Sequence, residues 1–245
     1  MAKLTTRTGS KEHKVVSPKD WLAARKRLLV EEKKFTRLHD RLKQQRRDLP
    51  WEMVEPKYVF DGPDGPETLA ELFADKHQLI VYHFMFGPDW PEGCPHCSFW
   101  ADHFDSLSHH LPQRDTTLVV ISHAPFKSLA RFQRRMGWKF KWVSSARNSF
   151  NFDFHVSFTP EQIRTGQAIY NYAKSAIPMD ELPGLSTFYR DRYGKVYHTY
   201  SAYSRGIESI NNTYNFLDLT AKGRDENPER PQDWVRYHDK YRRRK

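Results

Sequence analysis

Residues 79–97, LIVYHFMFGPDWPEGCPHC, decide the fold of this chain. The first eight are almost continuously apolar and rich in β-formers, which is typical of a strand buried on both faces of a sheet. A loop of Gly and Pro residues follows at 87–93, and Cys94 and Cys97 then stand at the predicted start of a helix. A second buried strand is predicted at 116–122, TTLVVIS. We therefore expect the cysteines to lie inside a β-α-β unit.

The rest of the middle region continues this alternation of strands and helices. Helical segments are predicted over 67–74, 94–111, 125–136, 160–174 and 206–221, and further strands over 57–60, 140–143, 185–190 and 195–201. An Asp-Arg-Tyr-Gly turn at 191–194 joins the last two strands as an antiparallel hairpin. The pattern predicts an α/β fold of αβα layers with a mixed central sheet.

The charge of the chain is concentrated at its ends. The 245 residues carry a formal net charge of +10 and the pI is about 9.5. Residues 1–50 hold 15 Lys and Arg against 6 Asp and Glu, a net +9, and residues 222–245 hold 9 against 5, a net +4. Residues 51–221 hold 16 against 19, a net −3. A basic total favours nucleic-acid binding, but this distribution argues against a nucleic-acid partner for the central region.

Several classes of protein are excluded by composition. No apolar run approaches the ~20 residues of a membrane-spanning helix, and residues 1–14 have no apolar segment of the kind that a secretory signal carries. Hydrophobic residues make up 38% of the chain, too many for a wholly disordered protein. Two cysteines cannot form a disulfide scaffold. We expect a cytoplasmic protein in a reducing compartment.

Four regions follow along the chain. Residues 1–16 are predicted to be a disordered basic tail and residues 222–245 a basic C-terminal tail, around a central domain at 51–221. Residues 17–49 are predicted to form a long amphipathic helical extension, capped by Ser17. Its apolar stripe recurs every seven residues, at Trp21, Leu28, Phe35 and Leu42. The stripe is expected to pack on its own domain or on a twin subunit, as a homodimer, rather than on an acidic partner.

The pattern Cys94-Pro95-His96-Cys97, in its loop-to-helix context, predicts a redox-active dithiol. At a helix N-terminus the free N–H groups and the helix dipole lower a thiol pKa, so Cys94 is the predicted nucleophile and Cys97 the resolving thiol. Pro95 fixes the backbone at the helix start. His96 is predicted to stabilise the Cys94 thiolate, which would raise the reduction potential. The same four residues resemble the motif of strongly oxidising bacterial disulfide oxidases.

Other functions for the cysteine pair stay open at this point. A zinc site could add His96, His103 or His110, but the chain lacks a second C-x-x-C and a closely following His. An inert buried pair and an exposed metal-transferring dithiol are further alternatives. A thiol peroxidase is the enzymatic rival. Its expected Thr or Ser and its Pro are replaced here by Pro91 and Gly87, so we rank it below dithiol exchange.

Seven further segments carry a resemblance over residues 17–240. They are HFMF at 83–86, GCPHCS at 93–98, MGW at 136–138, WVSS at 142–145, FNFD at 150–153, LPGLS at 182–186 and HTYS at 198–201. Together they are similar to the thioredoxin-like family called domain of unknown function 899, described as predicted dithiol-disulfide oxidoreductases. The resemblance implies a thioredoxin-like fold and leaves the substrate open.

The resemblance to thioredoxins also implies roles for single residues. Alignment places Ser186 where thioredoxins have a cis-proline, and a trans Ser186 is expected because a non-proline cis bond costs about 3 kcal/mol. Alignment places His83 where thioredoxins bury an acid, as a base for Cys97, with a hydrogen-bonded core histidine as the alternative. Pro95, Trp90 and Ser186 are the predicted substrate contacts. No metal and no cofactor is called for, since the chain has no phosphate-binding loop or dinucleotide fingerprint.

The predicted function is thus thiol–disulfide exchange with a protein or small-molecule substrate and an unassigned electron donor or acceptor. A redox-sensing or adaptor protein is the alternative from another class, and metal carriage is a third.

Overall fold

The computed structural model describes residues 5–8 and 11–241. Its strands within this part of the chain are β1 (Thr5–Thr8), β2 (Lys11–Lys14), β3 (Glu52–Met53), β4 (Val59–Gly62), β5 (Gly65–Thr68), β6 (Gln78–His83), β7 (Thr116–Ser122), β8 (Lys141–Ser144), β9 (Ile169–Tyr170), β10 (Ala173–Lys174), β11 (Gly184–Arg190) and β12 (Val196–Tyr203). Its α-helices are α1 (Pro18–Arg47), α2 (Pro95–Ala101), α3 (Phe126–Met136), α4 (Phe150–Asp153), α5 (Pro160–Thr165) and α6 (Asn212–Leu217).

A mixed sheet of eight strands forms the centre, in the order β3-β12-β11-β6-β7-β8-β4-β5. Strands β6, β7 and β8 are parallel, while β11 runs antiparallel to β6 and pairs on its other side with β12 as an antiparallel hairpin. The β6-α2-β7 unit next to the β11-β12 hairpin is the arrangement of a thioredoxin-like fold. The predicted α/β fold with a mixed central sheet is confirmed.

Strand β6 separates two hydrophobic clusters, one on each face of the sheet. Leu79 and Val81 belong to one cluster, and Tyr82 and Phe84 belong to the other, which also contains both cysteines. Successive side chains of a strand point to opposite faces, so a continuous apolar run fits a strand that is covered on both sides. The cysteine cluster is rich in aromatic rings.

Three predicted helices are shorter in the structure. Helix α2 ends at Ala101, and the rest of the expected 94–111 helix consists of 3₁₀ turns. Helix α5 ends where Gly166 adopts a left-handed φ of 63°, a conformation that favours glycine and closes a helix. The predicted helix over 206–221 is a 3₁₀ segment followed by α6.

The N-terminal extension, residues 17–49, is helical as expected. Ser17 caps α1 by accepting a hydrogen bond from the backbone of Asp20 at 3.2 Å. No residue of α1 is buried, so the stripe that begins at Trp21 does not pack on its own domain. Before the helix, β1 and β2 pair as an antiparallel hairpin, whereas disorder was predicted over 1–16; residues 1–4 and 9–10 of that range lie outside the described residues. The β-branched Thr5, Thr6 and Thr8 favour a strand there.

The C-terminal segment, which we define as residues 232–241, is packed against the domain and is not the free tail that its charge suggested. Val235 is 2% exposed and belongs to the cysteine cluster. Glu226 anchors the chain ahead of it by accepting hydrogen bonds from Tyr214 and Trp234, each at 2.7 Å. Over the described residues, none of the helices combines the length and the apolar character needed to traverse a bilayer.

Candidate active site at the cysteine pair

The cysteines are held by the chain that extends β6 beyond His83. The backbone N–H of Cys94 donates to the carbonyl of Met85 at 3.0 Å, and the N–H of Met85 donates to the Cys97 sulfur at 3.4 Å. Cys94 precedes α2, and its carbonyl accepts hydrogen bonds from the backbone and hydroxyl of Ser98. No disulfide joins the two cysteines in this structure. The pair thus lies at the junction of the loop and helix α2, as predicted.

Cys94 lies in the wall of an open cavity of about 780 Å³, and Cys97 lies behind it. Cys94 is 7% exposed and Cys97 2% exposed. The cavity is also lined by Met85, Trp90, Pro95, His96, Phe132, Met179 and Tyr237. A molecule entering the cavity therefore meets Cys94 first.

The two thiols have opposite acidities. Hydrogen bonds, first from Cys97 and then from His96, hold the pKa of Cys94 well below its usual range despite burial. Burial raises the pKa of Cys97 well above its usual range, and the hydrogen bond and charge of Cys94 add to that shift. Cys94 is therefore the thiol that ionises first.

His96 forms the electrostatic partner of Cys94. Its hydrogen bond to Cys94 raises the pKa of the imidazole, and the thiolate charge acts in the same direction. The backbone of Gln232 and the carboxylate of Asp233 raise it further, while burial opposes the shift. The C-terminal segment thus contributes directly to the electrostatic environment that raises the pKa of His96.

His83 does not meet the cysteines. Its ring stacks against the adjacent rings of Phe150 and Phe154, at centroid distances of 5.7 and 5.9 Å, on the opposite face of the sheet. Strand alternation turns its neighbour Tyr82 toward the cysteine cluster instead. The placement of His83 as a base beside Cys97 is therefore incorrect. Burial also lowers the pKa of His83 to about 3, so the residue is a neutral core histidine.

Tyr82 occupies the place that sequence alignment gave to His83. Its hydroxyl is the group whose interaction with Cys97 affects the pKa of both side chains, and it has no hydrogen-bond partner in the described part of the chain. Burial is the main cause that raises the pKa of Tyr82 well above its usual range, so the phenol stays protonated. Such a group can donate a hydrogen bond to a thiolate.

The predicted substrate contacts divide into two groups. Trp90 and Pro95 line the cavity, and the Trp90 indole N–H donates to Asp180 at 3.2 Å. Ser186 is fully buried on the His83 side, where its hydroxyl lies 2.8 Å from His83 Nε2 and 2.7 Å from the Ser201 hydroxyl. Ser186 therefore cannot contact a substrate in the cavity. Its peptide bond is trans, as expected, because the described residues contain no cis peptide.

Residues of the C-terminal segment were missed by sequence reasoning. Tyr237 lines the cavity, and its hydroxyl donates to the carbonyl of Gly93 at 2.7 Å. Asp239 accepts hydrogen bonds from Arg135 of α3 at 2.9 and 3.1 Å. The sequence does contain one indication that this segment is packed. Trp234, Val235 and Tyr237 form an apolar and aromatic group inside a charged stretch.

Gly93 is required by close packing. A Cβ atom at this position would lie 2.7 Å from the Phe84 ring and 2.9 Å from the Phe132 ring. Contacts this short do not occur in folded proteins, so any side chain would displace the loop that leads into Cys94.

The zinc candidates do not converge. His103 lies 3.0 Å from the Thr213 hydroxyl, and His110 is exposed. Across residues 5–8 and 11–241, no group of three or more His, Cys, Asp and Glu side chains is placed to hold a metal ion.

The fold and the site thus define a thioredoxin-like protein with a Cys-x-x-Cys pair at the start of a helix. The family model described as "Bacterial protein of unknown function (DUF899)" matches residues 10–241, and the chain belongs to this family. The resemblance stated from sequence is confirmed. A comparison with curated proteins gave no match.

Solved structures similar to this chain include two bacterial peroxiredoxin-type proteins. The peroxidoxin BcpB of Mycobacterium tuberculosis is 17% identical, with a TM-score of 0.45, over 68% of this chain and 96% of that chain. A structure of peroxiredoxin Q of Xanthomonas campestris is 16% identical, with a TM-score of 0.46, over 70% of this chain and 97% of that chain. At such identities a likeness concerns the backbone arrangement and does not extend to activity.

Proposed function

We propose that this protein is a thiol–disulfide oxidoreductase in which Cys94 attacks and Cys97 resolves. The observation that carries the proposal is the asymmetry of the pair. Cys94 faces an open cavity with a lowered pKa, whereas Cys97 is buried behind it with a raised pKa. An accessible thiolate is the reactive form of cysteine, and a protected neighbouring thiol is suited to intramolecular resolution.

The reaction exchanges two electrons. The Cys94 thiolate attacks one sulfur of a substrate disulfide, forms a mixed disulfide and releases the other sulfur as a thiolate. Cys97 then loses its proton to solvent and attacks the Cys94 sulfur, which releases the second substrate sulfur as a thiolate. The two released thiolates take up protons from solvent, or remain ionised, according to their pKa. The substrate disulfide is reduced and the protein is oxidised to the Cys94–Cys97 disulfide, and the reverse sequence oxidises a substrate dithiol.

His96 and Tyr82 support the two thiolates in turn. The hydrogen bond of His96, and its charge when the imidazole is protonated, stabilise the Cys94 thiolate before attack and while it is the leaving group. The Tyr82 hydroxyl donates to the Cys97 sulfur as that thiol becomes charged during resolution. Stabilisation of the reduced Cys94 thiolate favours the reduced pair, so we expect a reduction potential above about −270 mV, the value of thioredoxin.

The proposal keeps the partners and location expected from sequence. Its substrate is a protein or small-molecule thiol or disulfide, its electron donor or acceptor is a cellular redox couple, and the setting is the cytoplasm. No cofactor enters the exchange, because both electrons come from the cysteine sulfurs.

The test compares the wild-type protein with three single-site variants in an insulin-reduction assay. Dithiothreitol keeps each protein reduced and supplies the electrons. Wild-type protein should reduce insulin, Cys94→Ser should be inactive, and Cys97→Ser should accumulate a mixed disulfide detectable by mass spectrometry. Tyr82→Phe should slow the resolution of the mixed disulfide by Cys97 and should not change the rate of attack by Cys94. A Cys94→Ser protein that still reduces insulin would contradict the proposal.

The remaining alternatives give different results in the same experiments. Reversible oxidation of the pair without turnover of any disulfide would indicate a redox sensor or adaptor. Stoichiometric metal on the freshly purified protein would indicate metal carriage. Turnover of hydrogen peroxide, and of no disulfide, would indicate a thiol peroxidase.

A further inference from the structure

One charged side chain in the cavity beside Cys94, Arg131, forms no ion pair with any residue that the structure describes. Arg131, on α3, is solvent-exposed and lines the same cavity as Cys94. Its guanidinium makes a single long hydrogen bond, to the carbonyl of Pro91 at 3.4 Å. Among the described residues it forms no ion pair, so its charge is free to meet a molecule in the cavity.

The carboxylate and the second arginine in the cavity wall are already paired. Arg135, one turn further along α3, binds Glu92 at 2.6 Å and Asp239 at 2.9 Å. Lys240 lies 3.5 Å from the same Glu92 carboxylate. These two cations and two anions cancel. His96 interacts with Cys94, whose hydrogen bond raises the pKa of the imidazole.

The remainder of the wall is suited to a carbon chain. Trp90, Phe132, Met179 and Tyr237 present apolar and aromatic surface in the same cavity as the Arg131 guanidinium. A guanidinium binds a carboxylate through two parallel hydrogen bonds, which gives both affinity and orientation. The cavity therefore combines a reactive sulfur, an apolar wall and one anion-binding group.

We infer that the preferred substrate of Cys94 is a disulfide or thiol that carries a carboxylate, and that Arg131 is the residue that selects it. The inference rests on the proposed exchange reaction and adds the substrate class. During thiol–disulfide exchange, the substrate carboxylate binds Arg131 while the substrate sulfur approaches Cys94. The sulfur–sulfur bonds that form and break are those of the proposed exchange reaction.

The test compares matched small disulfides that differ in charge. The reduced full-length protein is mixed with 3,3′-dithiodipropionate, which is anionic, with bis(2-hydroxyethyl) disulfide, which is neutral, and with cystamine, which is cationic. Oxidation is followed by tryptophan fluorescence or by mass. Each rate constant is divided by that of free dithiothreitol with the same disulfide, which removes the intrinsic reactivity of the probe.

We expect the corrected rate constant for the anionic disulfide to exceed that for the neutral one by about tenfold, as for one charge-assisted hydrogen-bond pair. Arg131→Gln should remove most of this ratio, and Arg131→Glu should shift the preference to cystamine. Arg134→Gln, an exposed position of α3 outside the cavity wall, should leave the ratio unchanged. Added salt should reduce the ratio in wild-type protein.

Failure of the inference and failure of the proposed function differ in outcome. Equal corrected rates for the three disulfides, or an anion preference that survives Arg131→Glu, would overturn the role of Arg131 while leaving the exchange reaction intact. Absence of reaction with every disulfide would overturn the proposed function and the inference with it.

Discussion

The two basic ends of the chain stand in opposite relations to the cysteine pair. Helix α1 in the N-terminal extension buries none of its 30 residues, and its cation–π contact with the domain is Arg46 over the Tyr200 ring at 4.6 Å. The C-terminal segment places Val235 in the cysteine cluster and Tyr237 in the cavity wall. Net charge made the two ends look alike, but only the contacts of individual side chains show which end serves the site.

The difference arises from what each end can bury. The C-terminal segment inserts apolar and aromatic groups beside an existing aromatic cluster and is joined to α3 by the ion pair between Asp239 and Arg135. The stripe of the N-terminal extension finds no complementary surface on its own domain, and Phe35 in it is 67% exposed. We infer that the C-terminal segment is part of the active site and that the N-terminal extension is not.

The largest expected effect is that of removing the C-terminal segment. A chain truncated after Pro231 loses Val235 from the core, which costs about 1.5–3 kcal/mol of unfolding free energy. It also loses the Gln232 and Asp233 contributions that raise the pKa of His96. We expect a lower midpoint of urea unfolding and slower alkylation of Cys94 by iodoacetamide at pH 7.

The matched control is a chain truncated after Tyr241, which keeps the segment and removes only residues 242–245. It should behave as the full chain in both measurements. Equal alkylation rates for the two truncations would contradict the assignment of the segment to the site.

Next in size is the effect of His96→Ala, which removes the residue through which the C-terminal segment acts on Cys94. Because the His96 hydrogen bond and charge lower the pKa of Cys94, their loss should raise it. The Cys94 thiolate is favoured above its lowered pKa and lost as the pH falls through that value. The alkylation profile should therefore move to higher pH, with a rate at pH 7 lower by about tenfold.

His96→Asn keeps a polar side chain without the positive charge and serves as the control. If both variants keep the wild-type pH profile, His96 does not stabilise the thiolate.

A smaller effect is expected for Tyr237→Phe. The change removes one hydrogen bond, to the Gly93 carbonyl, and retains the ring in the cavity wall. We expect a loss of about 1 kcal/mol in the free energy of unfolding, measured by urea titration. Tyr193→Phe, in the exposed hairpin turn, is the comparison and should change stability by less than about 0.5 kcal/mol. Identical losses in the two variants would show that the Gly93 contact contributes nothing.

The smallest effect is expected for deletion of residues 1–48. Since α1 has no buried residue, the deleted chain should keep the Cys94 alkylation rate and the unfolding midpoint of its domain. Light scattering tests the homodimer that the apolar stripe predicts. If the stripe forms the dimer, the full chain should have the mass of a dimer and the deleted chain the mass of a monomer. A large loss of Cys94 reactivity on deletion would remove the contrast between the two ends.

The part of the fold nearest the cysteines could be predicted from the sequence. Continuous apolar runs of strand length, as in β6 and β7, fit only strands that are covered on both faces. Capping and turn residues placed α1 and the β11-β12 hairpin within a few positions of their observed ends. These signals are local, because each depends on neighbours in the sequence.

The errors arose where a prediction needed long-range information. The choice between Tyr82 and His83 depends on strand register, and a shift of one residue exchanges the two faces of a sheet. Ser186 was misplaced for the same reason. Tyr237 lies 144 residues from its partner Gly93, so no local pattern could connect them. Its charged surroundings made the C-terminal segment resemble a solvated tail.

The acidity of Cys94 tests the central claim most directly. Thiolate absorbance in the ultraviolet, titrated with pH in wild-type protein and in Cys97→Ser, gives the pKa of Cys94, the member of the pair that lines the cavity. Our account requires a Cys94 pKa clearly below the value of about 8.5 that a free cysteine shows, and an increase on His96→Ala. A Cys94 pKa at or above the free value would contradict it.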